Sequence, residues 1–523
     1  MRFLNRATFG ATQGDADTLT GTEVADWLRA EFAKQPTTYL QPILGQLSAL
    51  PDGEMLFANA LTNLFFDEVI AGNDQLRQRM VLALSEIIVA SSNSDLEGLP
   101  ATMAHYVDIL STNAFGNYRD LMEEITYSPA MSIYLTYLAN QKGDMDSGRV
   151  PYENYARELL QLFTIGLSEL NMDGTLKLDG AGQPIEIFDN SDITGLAKVF
   201  TGLSTQGSNF FNIFRDGSST YKPLIVFPDF HSELEKSFLN VTIPPFTSGE
   251  ESIDTALDTI FAHPNMAPFV SRQLIQRFVM SAPSPAYVER VATAFETGSF
   301  LLPDSTSVGT GIRGDLKATL SAVLLDQQAL QNPTNGTPEN GKIREPMLRF
   351  IHWARAFNET TPDAADERFL QDTSFALGQH PFRSPSVFNF FRPRYIAPGT
   401  ATGTAGLTAP ELQIVNESSL ISNINFINSF IYNFSPNFSD DPNGGVVADY
   451  TEELALADDV PALIARLDLI LTGNMLRQDS KDRIAQLLAE IPINVDTEAT
   501  DRIFRVTIAI SMVMSSPGYL VQR

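Results

Sequence analysis

The chain has 523 residues, with 35 Lys and Arg against 63 Asp and Glu, a formal net charge of -28, 43% hydrophobic residues, 10% aromatics and no cysteine. This apolar content excludes wholesale disorder, and the length allows two to four domains or one large core with insertions. The negative surface would repel a phosphate backbone, so nucleic acid is not an expected partner, and the missing cysteine excludes disulfides, zinc–thiolate sites, iron–sulfur clusters and thiol nucleophiles.

The same charge favours solubility and the binding of cations such as calcium. Apolar runs such as Val506 to Met514 fall well short of the roughly 20 residues of a membrane span, and MRFLNRATFG lacks the charged and apolar regions of a signal peptide.

From Glu23 to Leu167 the apolar spacing predicts helices over Val24 to Phe32, Met55 to Ile70, Leu76 to Ala90, Tyr118 to Thr126, Ser132 to Ala139 and Pro151 to Gly166. In the third, Arg79 and Glu86 share a stripe with Leu82 and Val89. A buried charge must be paired, so the two are expected to meet each other or a partner helix. In PYENYARELLQLFTIG the apolar and polar residues fill opposite arcs, with Pro151 suited to the first turn and Gly166 to the C-cap. Glu153 and Arg157 stand at i,i+4 as a helix-stabilising pair. Either this is a solvated polar face, or Glu153, Arg157 and Glu158 line a cleft.

Asn171 to Phe188 alternates around Asp179-Gly180-Ala181-Gly182 and predicts a β-hairpin. Helix resumes over Asp192 to Thr201, strands or irregular chain follow from Gly207 to Phe227, and helices return at Thr255 to Phe261, Phe269 to Met280, Tyr287 to Phe295, Leu316 to Leu325 and Leu348 to Phe357. Low-complexity linkers are expected at Gln331 to Gly341 and Pro398 to Thr408. Three or four more helices follow, including Ala462 to Leu471 and Ile503 to Met514, with an acidic loop from Ser439 to Asp449. The fold class is mainly α, a large multi-helix bundle with small β-hairpin insertions. Its regions are 1–168, 169–230, 231–400 and 401–523, or one continuous domain.

None of the five histidines forms a zinc-hydrolase spacing, and no GxSxG, GxGxxG or GxxxxGK[ST] motif appears. His105 and His352 lie in helical apolar contexts, and His263 precedes Pro264 at a helix boundary. His231 and His380 lie in Pro- and Phe-rich irregular segments, and with Glu153, Arg157 and Glu158 they are the catalytic candidates. Glu169, Asn171 and Asp173 resemble the start of a calcium loop. Gly180 stands where the bidentate Glu belongs, so an EF-hand is contradicted and an Asp-Gly turn explains the same residues. The arginine pairs Arg272/Arg277 and Arg344/Arg349 could hold an anion; in so acidic a chain, pairing with carboxylates is the expectation.

The blocks RFLNRATFGAT, QLRQRMVLALSEIIVAS, ENYARELLQLFTIGL, DITGLAKVFTGL, GKIREPMLRF and SPSVFNFFRPRY together resemble the bacterial family called domain of unknown function 1800, in order from Arg2 to Arg523. The positions matching its most characteristic blocks are Arg79, Glu86, Glu153, Asn154, Arg157, Glu158, Asp173, His231, Arg272 and Arg344. Of these Arg79, Glu86, Arg272 and Arg344 are the ligand-binding candidates. The resemblance carries over no catalytic residue. It implies export, with a leader and further residues before Met1, and a possible partner in the exported domain of unknown function 1501 family, which looks like the sulfatases and phosphatases. Two readings stay open: a cell-envelope scaffold or assembly partner, and a carboxylate/arginine hydrolase or lyase acting on a glycan or other envelope polymer.

Overall fold

The computed structural model describes residues 1–207, 209–211, 217–331, 341–359, 377–432 and 446–523. The N-terminal half stacks helix on helix: α1 (Arg2–Ala7), α2 (Gln13–Thr20), α3 (Val24–Ala33), α4 (Leu40–Ala49), α5 (Asn59–Ala71), α6 (Gln75–Ser85), α7 (Pro100–Asn113), α8 (Tyr118–Thr126), α9 (Pro129–Tyr134) and α10 (Asn154–Glu158). After α11 (Asn190–Ala197) come α12 (Gly249–Ala262), α13 (Met266–Phe278), α14 (Pro285–Thr297), α15 (Leu316–Leu325), α16 (Gln327–Leu330) and α17 (Pro346–Ala356). The longest C-terminal helices are Glu417–Ile431, Gln478–Ala489 and Glu498–Met514. The protein is mainly α. Among the described residues, strands occur only as two-stranded antiparallel pairs.

Local chemistry starts many of these helices. Thr12 and Asp15 form a reciprocal capping box on α2, Asp189 and Asp192 another on α11, and the Ser284 hydroxyl accepts from Tyr287 N ahead of Pro285 on α14. At the centre lies α6, every residue of which is buried, packed against α3, α5, α7 and α13. One cluster of buried apolar side chains runs from Ala7 to Tyr519 and draws on all four predicted regions. The chain end is sewn into it: strand Lys342–Ile343 pairs with Val521–Gln522. Among the described residues no helix is long and apolar enough to cross a membrane.

Several expected boundaries move. The helix expected to reach Ala90 ends at Ser85, and just beyond it the Glu86 carbonyl accepts from Arg277 Nη2 at 2.9 Å. The one expected to reach Ala139 ends at Tyr134, and Thr136 and Ala139 then take positive φ. The hairpin is a ladder of isolated bridges, Ser168 to Glu186, Leu170 to Leu176 and Leu178 to Pro184, and not a pair of full strands. The Pro398–Thr408 segment is no open linker: it contains the helix Ala401–Thr404, capped by Thr400, and Thr408 Oγ1 donates to Ser281 O at 2.7 Å. Most of the Gln331–Gly341 linker and the first part of the Ser439–Asp449 loop lie outside the described residues.

Candidate functional site

The Pro151–Gly166 segment is not one regular helix. Its α-helical part begins at Asn154 and ends at Glu158; a π turn, Leu159–Thr164, follows, and Ile165 N reaches back to Leu160 O at 3.1 Å. π turns inside α-helices recur at functional sites. Gly166 closes the turn with φ 77°, its N–H donating to Leu160 O at 2.9 Å. Asn265, just before α13, fixes the next stretch: its Nδ2 donates to Ile165 O (2.9 Å) and Ser168 O (2.8 Å), and its Oδ1 accepts from Leu170 N (2.9 Å).

Between the π turn, the base of the hairpin, α13 and residues 387–394 opens a cleft of about 550 Å³. Its lining includes four arginines, Arg272, Arg277, Arg392 and Arg394, and one carboxylate, Glu86. Phe269, Leu162, Leu170, Leu176, Val387 and Phe388 supply apolar walls. Arg272 has no carboxylate partner among the described residues, and its Nε is buried without a hydrogen bond. Burial, then the repulsion of Arg394, lowers Arg272 to about 10. Two further donors on the lining, Gln273 Nε2 and Asn389 Nδ2, are also buried and unpartnered, on residues only 4% and 6% exposed. Residues of the cleft lining therefore carry three buried donors without a partner.

Beneath it lies a buried ion network. Arg277 Nε stands 3.4 Å from Glu86 Oε2, and Arg79 Nη2 donates to Arg277 O at 2.6 Å. The Gln379 amide nitrogen donates to Glu86 Oε1 (3.1 Å) and Glu345 Oε2 (2.7 Å). Lys342 pairs with Glu345 and lies 3.7 Å from Glu411, which accepts from Ser281 Oγ at 2.8 Å. Burial, reinforced by Glu345, pushes the Glu86 carboxyl well above its usual range. Burial opposes ionisation of Glu345 too, but Lys342 and Arg79 outweigh it and hold that carboxyl at about 2.

The other predicted residues fall elsewhere. Glu153 and Arg157 pair at 3.2 Å on a half-exposed face against α11, where Glu153 also accepts from Thr194 Oγ1 at 2.8 Å. Glu158 is half-buried, raised by burial, and lies one turn from the cleft residues Gln161 and Leu162 but outside the lining. His231 is buried with Nδ1 2.9 Å from Thr201 O. His380 is buried with Nδ1 3.0 Å from Pro381 O and borders a small void that shares Glu86 and Asn389 with the cleft. Among the described residues, Glu153 and Arg157 are the one ion pair formed between these candidates. Arg344 is buried over the Tyr519 ring at 4.3 Å and in contact with His352, so it binds the chain end into the core.

Glu169 pairs with Lys177 at 3.2 Å, Asn171 Nδ2 donates to Thr175 Oγ1 at 3.0 Å, and Asp173 accepts from Thr175 N at 2.9 Å. Their side chains serve a tight turn, and no group of three or more acidic or histidine side chains suited to a metal ion occurs among the described residues. A second depression, of about 590 Å³ near Asp95, Ser132 and Tyr152, is more open and has no cation on its lining. Arg392, Arg394, Gln273 and Asn389 were not singled out from sequence. The only hint was the RPR of SPSVFNFFRPRY.

The family model described as Protein of unknown function (DUF1800) matches residues 2–521. No curated protein and no solved structure matches the chain.

Proposed function

The chain belongs to the DUF1800 family, and from that premise we propose that it is a binding protein whose cleft captures an anionic ligand. The observation that carries this reading is Arg272, a cleft arginine without a carboxylate among the described residues, in a chain of net charge -28. Carboxylates are abundant enough to neutralise every arginine, so a partly buried one left unpaired beside Arg394 is a cost that an incoming anion would remove. A guanidinium presents forked donors that match a carboxylate, sulfate or phosphate, and Gln273 and Asn389 carry buried unpartnered amide donors on the same lining.

Binding is better supported than catalysis. Glu86, the one carboxylate on the lining, gives Oε1 to Gln379, faces Arg277 with Oε2 and gives its carbonyl to Arg277. Oε2 keeps no hydrogen bond, but it is buried and faces the Arg277 guanidinium. A hydrolase or lyase acting on a glycan is further disfavoured by the apolar walls, which would leave hydroxyl groups without partners. The exported envelope scaffold with a partner from the DUF1501 family draws its support from the family resemblance, and it leaves Arg272 unexplained. Both can hold together if the scaffold carries a ligand.

Calorimetric titration with acetate, sulfate and phosphate tests the reading. Saturable binding that weakens with added salt and falls at least about tenfold in Arg272→Gln is expected. No binding of any of the three, or equal binding by the variant, would overturn it.

A further inference from the structure

The shape of the cleft says more about the ligand than its charge does. Unpartnered donors lie on Arg272, Gln273 and Asn389, and beside them and the other arginines of the lining, Arg277, Arg392 and Arg394, the cleft has hydrocarbon walls: Phe269, Leu162, Leu170, Leu176, Val387 and Phe388. A small hydrophilic anion would satisfy the donors and leave this wall wet. A neutral apolar molecule would fill the wall and leave Arg272 unpaired. A glycan would place hydroxyls against Phe269 and Leu170, and a hydrophilic polyanion would leave the same wall wet. Only a molecule with an acidic head at one end and an apolar body at the other meets both halves.

Resting on the anion-binding reading above, we propose that the ligand is an amphiphilic anion, its acidic head on Arg272, Gln273 and Asn389 and its acyl or aryl body against the Phe269, Leu170 and Leu176 wall. The volume of about 550 Å³ lies in the range of sites that enclose a whole small ligand. Leu176 comes from the hairpin, held against α13 by Asn265, so the hairpin's role is to complete the apolar wall.

The test is a titration series on the full chain with acetate, octanoate, 2-naphthoate, citrate and octanol. Octanoate or naphthoate should bind at least about tenfold more tightly than acetate, the effect of burying a few methylenes. Citrate and octanol should both be weaker than the preferred amphiphile. Leu176→Gln, at a position 37% exposed and so tolerant of a polar group, should weaken the amphiphiles several-fold and leave acetate unchanged. Arg272→Gln should weaken every carboxylate and leave octanol unchanged. Octanoate against naphthoate separates an acyl from an aryl body. If acetate and citrate bind as tightly as the amphiphiles, this proposal fails while anion binding stands; if no anion binds, both fail. If octanol matches octanoate in the parent protein, the acidic head is refuted.

Discussion

Arg277 holds Glu86 from two directions: Nη2 donates to its backbone carbonyl at 2.9 Å, and Nε lies 3.4 Å from Oε2. The two residues are 191 apart in the chain, and both are buried. Their contact ties the end of α6 to α13 and joins the cleft lining to the buried ion network. Arg272, also on the cleft lining, has no carboxylate partner among the described residues.

The network makes stability depend on pH through Glu86. Its folded carboxyl is raised by burial and by Glu345, while in the unfolded chain it titrates near 4.3. Above about 4.3 the folded state holds a proton that the unfolded state has lost, so Glu86 lowers stability as pH rises, until its folded carboxyl ionises. Glu345, held at about 2, acts oppositely: its contribution is present above about 4.3 and is lost as pH falls towards 2. Glu86→Gln mimics the protonated form, so urea midpoints measured from about pH 5 to 8 should fall less steeply for the variant than for the parent. Parallel curves would refute a retained proton.

Removing Glu345 should be far more damaging than removing an exposed ion pair. Glu345→Gln leaves the fully buried Lys342 facing only Glu411 at 3.7 Å, and breaking a buried pair from one side costs about 3–5 kcal/mol. Arg157→Ala breaks the half-exposed pair with Glu153 and should cost about 1 kcal/mol or less. Denaturant unfolding of both variants compares them directly, and equal losses would show that the buried network contributes no more than a surface pair.

Arg272→Gln should stabilise the unliganded protein. It removes a partly buried charge with no carboxylate partner and its repulsion with Arg394, a change in the class that typically adds about 0.5–2 kcal/mol. A variant that melts higher yet no longer binds anions would carry the signature of a residue kept for function. A variant that melts lower would mean that the guanidinium has a structural role.

Much of the helical frame was readable from apolar periodicity. The expected Tyr118 to Thr126 and Leu316 to Leu325 are α8 and α15 to the residue. What failed depended on distant partners or on unusual burial. Past the end of α6 the Glu86 carbonyl meets Arg277, a partner that no local pattern announces. α7 is buried nearly all round and mixes Thr, Ser and Asn with its apolar residues, so no polar face marks it. The π turn has no local signature in LLQLFT. The Glu153–Arg157 pair was readable from i,i+4 spacing, but the roles of Arg272 and Arg277 were not: which one is neutralised is decided by Glu86 on another helix.

Gly166 joins the most distinctive segment of the sequence to the cleft. Its φ of 77° lies in the left-handed region, and an added Cβ would come within 2.9 Å of the Phe269 ring. Gly166→Ala should therefore cost about 1–2 kcal/mol from the backbone alone. It should also push Phe269 from its place on the cleft wall and weaken octanoate more than acetate. Unfolding and titration of the one variant read the two effects separately. A loss of stability with unchanged octanoate binding would mean that the ring yields away from the cleft. Unchanged stability would show that this turn does not require glycine.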